Sequence, residues 1–167
     1  MKIASTIAAL ALAGLTSQAG IFTFTATLTG AQSTPPNSST ATGNVSAVYD
    51  STQNEFAVGG SFAGLQNVAT AAHVYLGAPG VAGAVQVPLV VVGGTSGVVL
   101  AGPVSLTGTQ ITDLMAGDWY VNVHDSVFPG GEIRGQLLLT SVPEPETYAA
   151  FAGVGLLGFA AWRRFRA

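Results

Sequence analysis

The chain has 167 residues, a formal net charge of −3 and no cysteine; 49% of its residues are hydrophobic and only 8% are charged. This length allows one domain of ordinary size. With only five basic residues, the chain has no cationic surface on which a nucleic-acid backbone could release counterions, so nucleic-acid binding is excluded. The lack of cysteine excludes disulfides, thiolate metal sites and cysteine nucleophiles.

The first nineteen residues predict a cleaved secretory signal peptide. Lys2 precedes an apolar run over residues 3–15, and Ser17-Gln18-Ala19 offers small residues for cleavage before Gly20. The alternative is an N-terminal membrane anchor, but a bilayer needs roughly 20 apolar residues, which is more than this run supplies. We therefore expect residues 1–19 to be removed on export and the folded domain to span residues 20–141.

Alternation with period two dominates residues 20–141 and predicts β-strands. From Phe22 to Thr29, apolar side chains alternate with threonines, which is typical of a strand with one face in the core and the other in water. Further strands are predicted over residues 45–49, 56–62, 71–76, 85–92, 97–100, 119–125 and 133–139. Residues 109–116 are the helical candidate, with Thr109 as the cap and Gly117 at the end. This spacing favours an all-β, antiparallel Greek-key sandwich, either superoxide dismutase-like or Ig-like, with one short helix.

Two of these strands carry a set of polar side chains that we call the polar face. Its members are Tyr120, Asn122, His124, Glu132, Arg134 and Gln136. If the hairpin pairs polar with polar, the expected opposite partners are His124 with Glu132, Asn122 with Arg134, and Tyr120 with Gln136. Arg134 is the only basic residue in this part of the chain, so we expect its guanidinium to hold nearby carboxylate and backbone oxygens.

The end of the chain, residues 142–167, has three parts. In Val142-Pro143-Glu144-Pro145 the alternating prolines forbid a helix and keep the segment extended. The apolar residues 147–162 predict a marginal transmembrane helix of about 24 Å, and a helix buried in the domain is the alternative. The basic residues that follow are expected to stay in the cytoplasm. They are Arg163, Arg164 and Arg166.

This order of parts resembles the PEP-CTERM sorting signal of Gram-negative bacteria that make exopolysaccharide. The resemblance implies a membrane protease-transpeptidase of the exosortase type as partner. Such an enzyme would cut near Pro143-Glu144-Pro145 and release the protein, or transfer it, to the surface.

Several blocks between residues 22 and 139 are similar to the CHRD domain, which is named after chordin. The blocks are residues 24–32, 62–65, 71–75, 120–124 and 129–137. The resemblance implies an all-β extracellular module of unsettled molecular role, often attached to secreted or surface proteins.

The two histidines, His73 and His124, are candidates for a copper or zinc site. CHRD domains commonly read His-x-His at the first position, whereas this chain has Tyr75 in the second place. A site would then need Glu132 or Asp125 as a substitute ligand. The alternative is that both histidines are hydrogen-bonded within a polar cluster.

Catalytic motifs are weak, and we expect no enzyme. Residues 153–158 match the dinucleotide-binding motif G-x-G-x-x-G, but no predicted strand precedes them, as that motif requires. Residues 59–63 lie in a strand and lack the last glycine of a nucleophile elbow.

The leading expectation is a non-enzymatic module that is tethered to the inner membrane as a precursor and then delivered to the cell surface or extracellular matrix. Two alternatives stay open. One is a divergent metal-binding or redox domain that uses His73 and His124, and the other is an adhesion module that binds exopolysaccharide.

Overall fold

The structure, a computed structural model, describes residues 20–141. The expected signal peptide at residues 1–19 and the sorting segment at 142–167, with its expected transmembrane helix, lie outside the described residues. Within residues 20–141, no helix is both long enough and apolar enough to cross a membrane.

Most of the described chain is β-strand, as the alternation predicts. A short 3₁₀ turn at Gly30–Gln32 follows the first strand. The elements in chain order are β1 (Ile21–Thr29), β2 (Thr42–Asp50), β3 (Glu55–Ala63), β4 (Ala69–Leu76), β5 (Val85–Gly93), β6 (Gly97–Val104), α1 (Gly108–Met115), β7 (Trp119–Asp125), β8 (Ile133–Gln136) and β9 (Leu138–Ser141).

The strands close into one antiparallel ring. The ring runs β1-β2-β3-β6-β5-β4-β7-β8 and returns to β1, which pairs with β2 on one side and with β8 and β9 on the other. β8 and β9 are two halves of one irregular strand, interrupted at Leu137, whose N–H donates to the carbonyl oxygen of Trp119 at 2.8 Å. The neighbours β7-β4-β5-β6 have the Greek-key order.

This closed eight-stranded barrel differs from the predicted sandwich of two sheets. Alternation reports which side chains point into the core, and that pattern is the same in a sandwich and in a small barrel. The difference is set by the double pairing of β1, which removes the open edges that a sandwich would have.

The barrel interior is filled by apolar side chains from every strand of the ring. Phe56 and Trp119 meet edge to face with ring centroids 5.4 Å apart, and both are fully buried. Leu28 lies between two glycines: a Cβ atom added at Gly43 or Gly135 would come within 2.9 or 2.8 Å of a Leu28 methyl carbon. The glycines therefore give the leucine the room it needs.

The helix α1 begins slightly earlier than predicted. Thr107, rather than Thr109, is its N-cap, because the Thr107 hydroxyl accepts from the backbone N–H of Gln110 at 3.3 Å. The Gln110 side chain in turn accepts from the Thr107 backbone N–H at 2.9 Å, completing a capping box. Gly117 follows the helix with a φ of +79°, a conformation that glycine adopts without strain.

Replacing Leu28 by alanine tests the packing of the barrel interior. Leu28 is 0% exposed, so Leu28→Ala should lower the free energy of unfolding by about 2–5 kcal/mol through lost burial and the cavity left behind. The matched control is Leu100→Ala on β6, where the side chain is 46% exposed and the loss should be about 1 kcal/mol or less. Urea denaturation measures both, and equal losses would contradict the assignment of the interior.

Candidate functional site

The polar face lies on the outside of the barrel but is covered by loops. All seven residues of β7 are buried; Trp119, Val121 and Val123 contribute to the hydrophobic core, while the side chains between them point the other way. On that outer side, Gln136 donates from Nε2 to the carbonyl oxygens of Gly77 and Gly117 at 2.8 and 2.7 Å. Loops that supply hydrogen-bond partners therefore cover this side of the hairpin.

The hairpin of β7 and β8 shows two of the three pairs expected from the sequence. The third, His124 with Glu132, is missing, because the ladder ends at Val123 opposite Ile133 and Glu132 precedes β8. Tyr120 lies opposite Gln136, and Asn122 lies opposite Arg134. The backbone N–H of Glu132 donates to the carbonyl oxygen of Val123 at 2.8 Å.

Arg134 is 2% exposed and is held by neutral oxygens. Its Nη1 donates to the Thr34 hydroxyl at 2.6 Å and to the carbonyl oxygen of Val81 at 3.0 Å. Its Nη2 donates to the carbonyl oxygen of Ala78 at 2.9 Å and to the Gln136 side chain at 3.3 Å. The expected backbone oxygens are therefore present, and no carboxylate of residues 20–141 pairs with this guanidinium.

The guanidinium also lies over an aromatic ring. Its Cζ atom is 3.5 Å from the ring centroid of Tyr120, which is a cation–π contact. Burial lowers the pKa of Arg134, and the neighbouring Tyr120 phenol opposes that shift. Tyr120 stacks in turn on Tyr75 of β4, with centroids 5.2 Å apart and planes 10° from parallel.

Tyr75 brings the two histidines together. Its hydroxyl oxygen is 2.9 Å from Nε2 of His124 and 3.3 Å from Nδ1 of His73. The two imidazole centroids are 5.6 Å apart. His73 and Tyr75 are half-buried, and His124 is 8% exposed.

The hydrogen bonds of His124 define which of its nitrogens carries the proton. Nδ1 lies 3.0 Å from the carbonyl oxygen of Pro129, which can only accept, so Nδ1 is the donor. Nε2 then has a free lone pair, and the Tyr75 hydroxyl donates to it. Burial lowers the pKa of His124, which favours this neutral form.

Glu132 and Asp125 form a second, separate part of the site. Glu132 Oε1 accepts from the Ser39 hydroxyl at 2.5 Å, and both of its carboxyl oxygens accept from the backbone N–H of Gln66 at 3.1 Å. Asp125 accepts from the backbone N–H groups of Asn67 at 2.7 Å and Phe128 at 2.6 Å. Together the two carboxyls bind the β1–β2, β3–β4 and β7–β8 loops to the barrel.

Glu132 and Asp125 are 0% and 1% exposed. Burial raises the pKa of Glu132, and the neighbouring Asp125 adds to the rise, while the hydrogen bonds from Ser39 and Gln66 oppose it. Glu132 therefore holds a proton at a pH at which an exposed glutamate has lost it.

The proposed third ligand of a metal site does not join the histidines. Among the described residues, no three His, Asp or Glu side chains form a group that could hold a metal ion. Glu132 and Asp125 are engaged by the loop backbones instead. The atom that the structure does bring to both imidazoles is the phenol oxygen of Tyr75. The sequence signal for this arrangement is the two-residue spacing of His73 and Tyr75, since residues i and i+2 of a strand share a face.

Two clefts are lined by residues of the segment that follows β1. The larger, about 320 Å³, is lined by Gln32, Thr34, Pro79 and Arg134 among others. The smaller, about 220 Å³, is lined by prolines, glycines and Phe128. Thr34 and Pro36 line both clefts, so the two are neighbours.

Comparison with known families places most of the barrel in one of them. Residues 24–137 match the family model of the CHRD domain. The chain belongs to the CHRD domain family. Every residue of the polar face, with His73 and Tyr75, falls within the CHRD match. Residues 141–164 match the PEP-CTERM protein-sorting motif, which indicates an exported protein sorted by an exosortase. No curated protein and no solved structure matches the chain.

Replacing Glu132 by glutamine tests the buried carboxyl pair of the CHRD domain. An acid whose pKa is raised by folding binds its proton more tightly in the folded than in the unfolded state. The free energy of unfolding should therefore fall as the pH rises from the ordinary pKa of about 4.5 through the raised pKa. Glu132→Gln should remove this part of the pH dependence.

Urea denaturation between pH 4.5 and pH 8 measures this effect, with Glu55→Gln as the control because it removes an exposed carboxylate of β3. An identical pH slope in Glu132→Gln and the unaltered protein would show that Glu132 ionises freely in the folded state.

Replacing Arg134 by lysine tests the role of the guanidinium fork. Lysine keeps the charge but has one nitrogen, so it cannot serve the four oxygens now bound by Nη1 and Nη2. A lysine ammonium has three N–H donors, so at least one of the four oxygens loses its partner. An acceptor left without a donor costs about 1–3 kcal/mol, so we expect a loss of at least about 1 kcal/mol. Thermal and urea denaturation measure it, with Arg134→Met as the comparison. Full stability in Arg134→Lys would mean that charge alone matters.

Proposed function

We propose that this protein is a non-enzymatic module of the cell surface or extracellular matrix, delivered there after processing by an exosortase-type enzyme. The PEP-CTERM match at residues 141–164 is the observation that carries the proposal. The precursor would be held at the inner membrane by its tail, cut near Pro143-Glu144-Pro145, and then released or transferred. A Gram-negative host that makes exopolysaccharide is the setting in which such a signal operates.

The chemistry of the domain supports a role without catalysis. Its strongest polar groups, Arg134, Glu132 and Asp125, are buried and occupied by loop backbones or neighbouring side chains. Their polar atoms stabilise the loops. The outward side chains of β1 and β2 are mainly hydroxyl-bearing, such as Thr25, Thr27 and Ser46.

Processing is tested by determining the C-terminus of the protein outside the cell. We expect mass spectrometry of the unaltered protein, expressed in an exosortase-containing host, to find a C-terminus near residues 143–145. A triple variant with alanine at Pro143, Glu144 and Pro145 should accumulate uncut in the membrane fraction.

The control is Glu146→Ala, which changes a neighbouring acid outside the Pro-Glu-Pro triplet and should be cut normally. Exported protein that still ends at Ala167, or a triple variant that is cut like the unaltered protein, would contradict the proposal.

Adhesion to exopolysaccharide is the second candidate function, and the paired clefts favour it. The larger cleft, about 320 Å³, has the size of a small-ligand site, for which roughly 300–1,000 Å³ is usual. Hydroxyl and amide groups of Thr34 and Gln32 line it beside Arg134. Retention of the purified protein on isolated polymer, compared with an unrelated acidic β-sandwich protein, tests this role. Equal retention of the two proteins would contradict a role in adhesion.

A further inference from the structure

Three donor atoms converge on the outside of the barrel at the β4–β7 pair. His73 and Tyr75 are two residues apart on β4 and therefore share a face, while His124 comes from the neighbouring strand β7. The Tyr75 oxygen lies within hydrogen-bond distance of both imidazoles, 3.3 Å from His73 Nδ1 and 2.9 Å from His124 Nε2.

We propose that His73 Nδ1, Tyr75 Oη and His124 Nε2 bind a divalent first-row transition-metal ion, with Cu²⁺ bound more tightly than Zn²⁺. Imidazole nitrogens suit both metals, and affinity at a given set of nitrogen and oxygen donors is greatest for copper. A metal ion about 2.0–2.1 Å from each nitrogen replaces the hydrogen bonds that now join the three side chains. Three protein ligands leave at least one coordination position open to water.

The surroundings of the three side chains fit a metal site. Histidine ligands almost always donate their second N–H to a carboxylate or a carbonyl oxygen, which fixes the ring and its tautomer. His124 does so, because its Nδ1 donates to the Pro129 oxygen at 3.0 Å, while the lone pair of its Nε2 accepts from the Tyr75 hydroxyl in the metal-free protein and can bind a metal ion instead. The Pro129 carbonyl oxygen thus already orients the His124 ring for metal binding.

The phenol ring is also held in position before any metal binds. Tyr75 stacks on Tyr120 at 5.2 Å, and Tyr120 is covered by Arg134 at 3.5 Å. This stack of two rings and a guanidinium restricts the rotation of the Tyr75 side chain away from the histidines. His73 and Tyr75 are half-buried, so an ion can reach them from solvent.

The proton balance of binding follows from the hydrogen bonds. In the metal-free protein the Tyr75 hydroxyl donates to His124, and His73 Nδ1–H donates to the Tyr75 oxygen. Metal binding releases the phenol proton to solvent and moves the His73 proton from Nδ1 to Nε2. One proton is therefore released for each ion bound.

Titration of the purified full-chain protein with Cu²⁺ and Zn²⁺ salts at neutral pH tests the inference. The protein must carry no polyhistidine tag, because a tag would itself bind copper. We expect one ion per chain, one proton released per ion by calorimetry in buffers of different ionisation enthalpy, and a visible phenolate-to-copper charge-transfer band. None of these readouts depends on export or on the proposed surface role.

The decisive variant is Tyr75→Phe, which keeps the aromatic ring and removes only the donor oxygen. It should weaken copper binding at least about tenfold and abolish the charge-transfer band. The matched control is Tyr49→Phe on β2, which removes a phenol oxygen outside the polar face, one that donates to Asn54 Oδ1 at 3.3 Å, and should bind copper like the unaltered protein. Circular dichroism and thermal unfolding confirm that each variant is folded.

Two results would overturn the site. One is the lack of stoichiometric Cu²⁺ or Zn²⁺ binding by the folded, unaltered protein. The other is unaltered affinity in Tyr75→Phe, which would show that the phenol oxygen is not a ligand.

Discussion

The buried guanidinium of Arg134 is the constraint on which the outer half of this structure depends. A charge removed from water is costly unless hydrogen bonds and polarisable neighbours replace the solvent. Here the oxygens of Thr34, Ala78, Val81 and Gln136 and the ring of Tyr120 take that role. These groups come from two loops and two strands. The hydrogen bonds of the guanidinium therefore fix the loops against the barrel.

The same loops make the rest of the polar face an ordered environment. Once they exclude water, Tyr120 and Tyr75 stack, and His124 is left between a carbonyl oxygen and a phenol. Glu132 and Asp125 secure the neighbouring loops by accepting backbone N–H groups. The barrel thus has a hydrophobic interior and, on one side of its outer surface, a second buried layer built from polar groups. That layer positions the three donor atoms on which metal binding would depend.

The sequence predicts the strands and the β7–β8 register because both follow from alternation, a local property. It does not predict closure of the barrel, since β1 meets β8 and β9 across more than a hundred residues and the inward alternation is the same in a sandwich. It also misses the covering loops. Gln66 contributes to the site through its backbone N–H, for which the residue type gives no signal.

Tyr75 shows what the structure adds to a comparison of sequences. Compared with the His-x-His pattern it replaces a histidine, and in the structure its oxygen lies within hydrogen-bond distance of both imidazoles. The carboxylates that the sequence offers as substitutes are chemically suitable, yet each is held by loop backbone. Residue types identify possible donors, whereas the fold decides which of them meet.

The central claim is that the loops hold the polar face in one hydrogen-bonded arrangement against the barrel. Nitrogen-15 NMR of the His124 side chain in the metal-free protein tests it most directly. The account predicts a single neutral tautomer with the proton on Nδ1, protected from exchange by the Pro129 carbonyl oxygen. A proton on Nε2, or rapid averaging between the two tautomers, would contradict it.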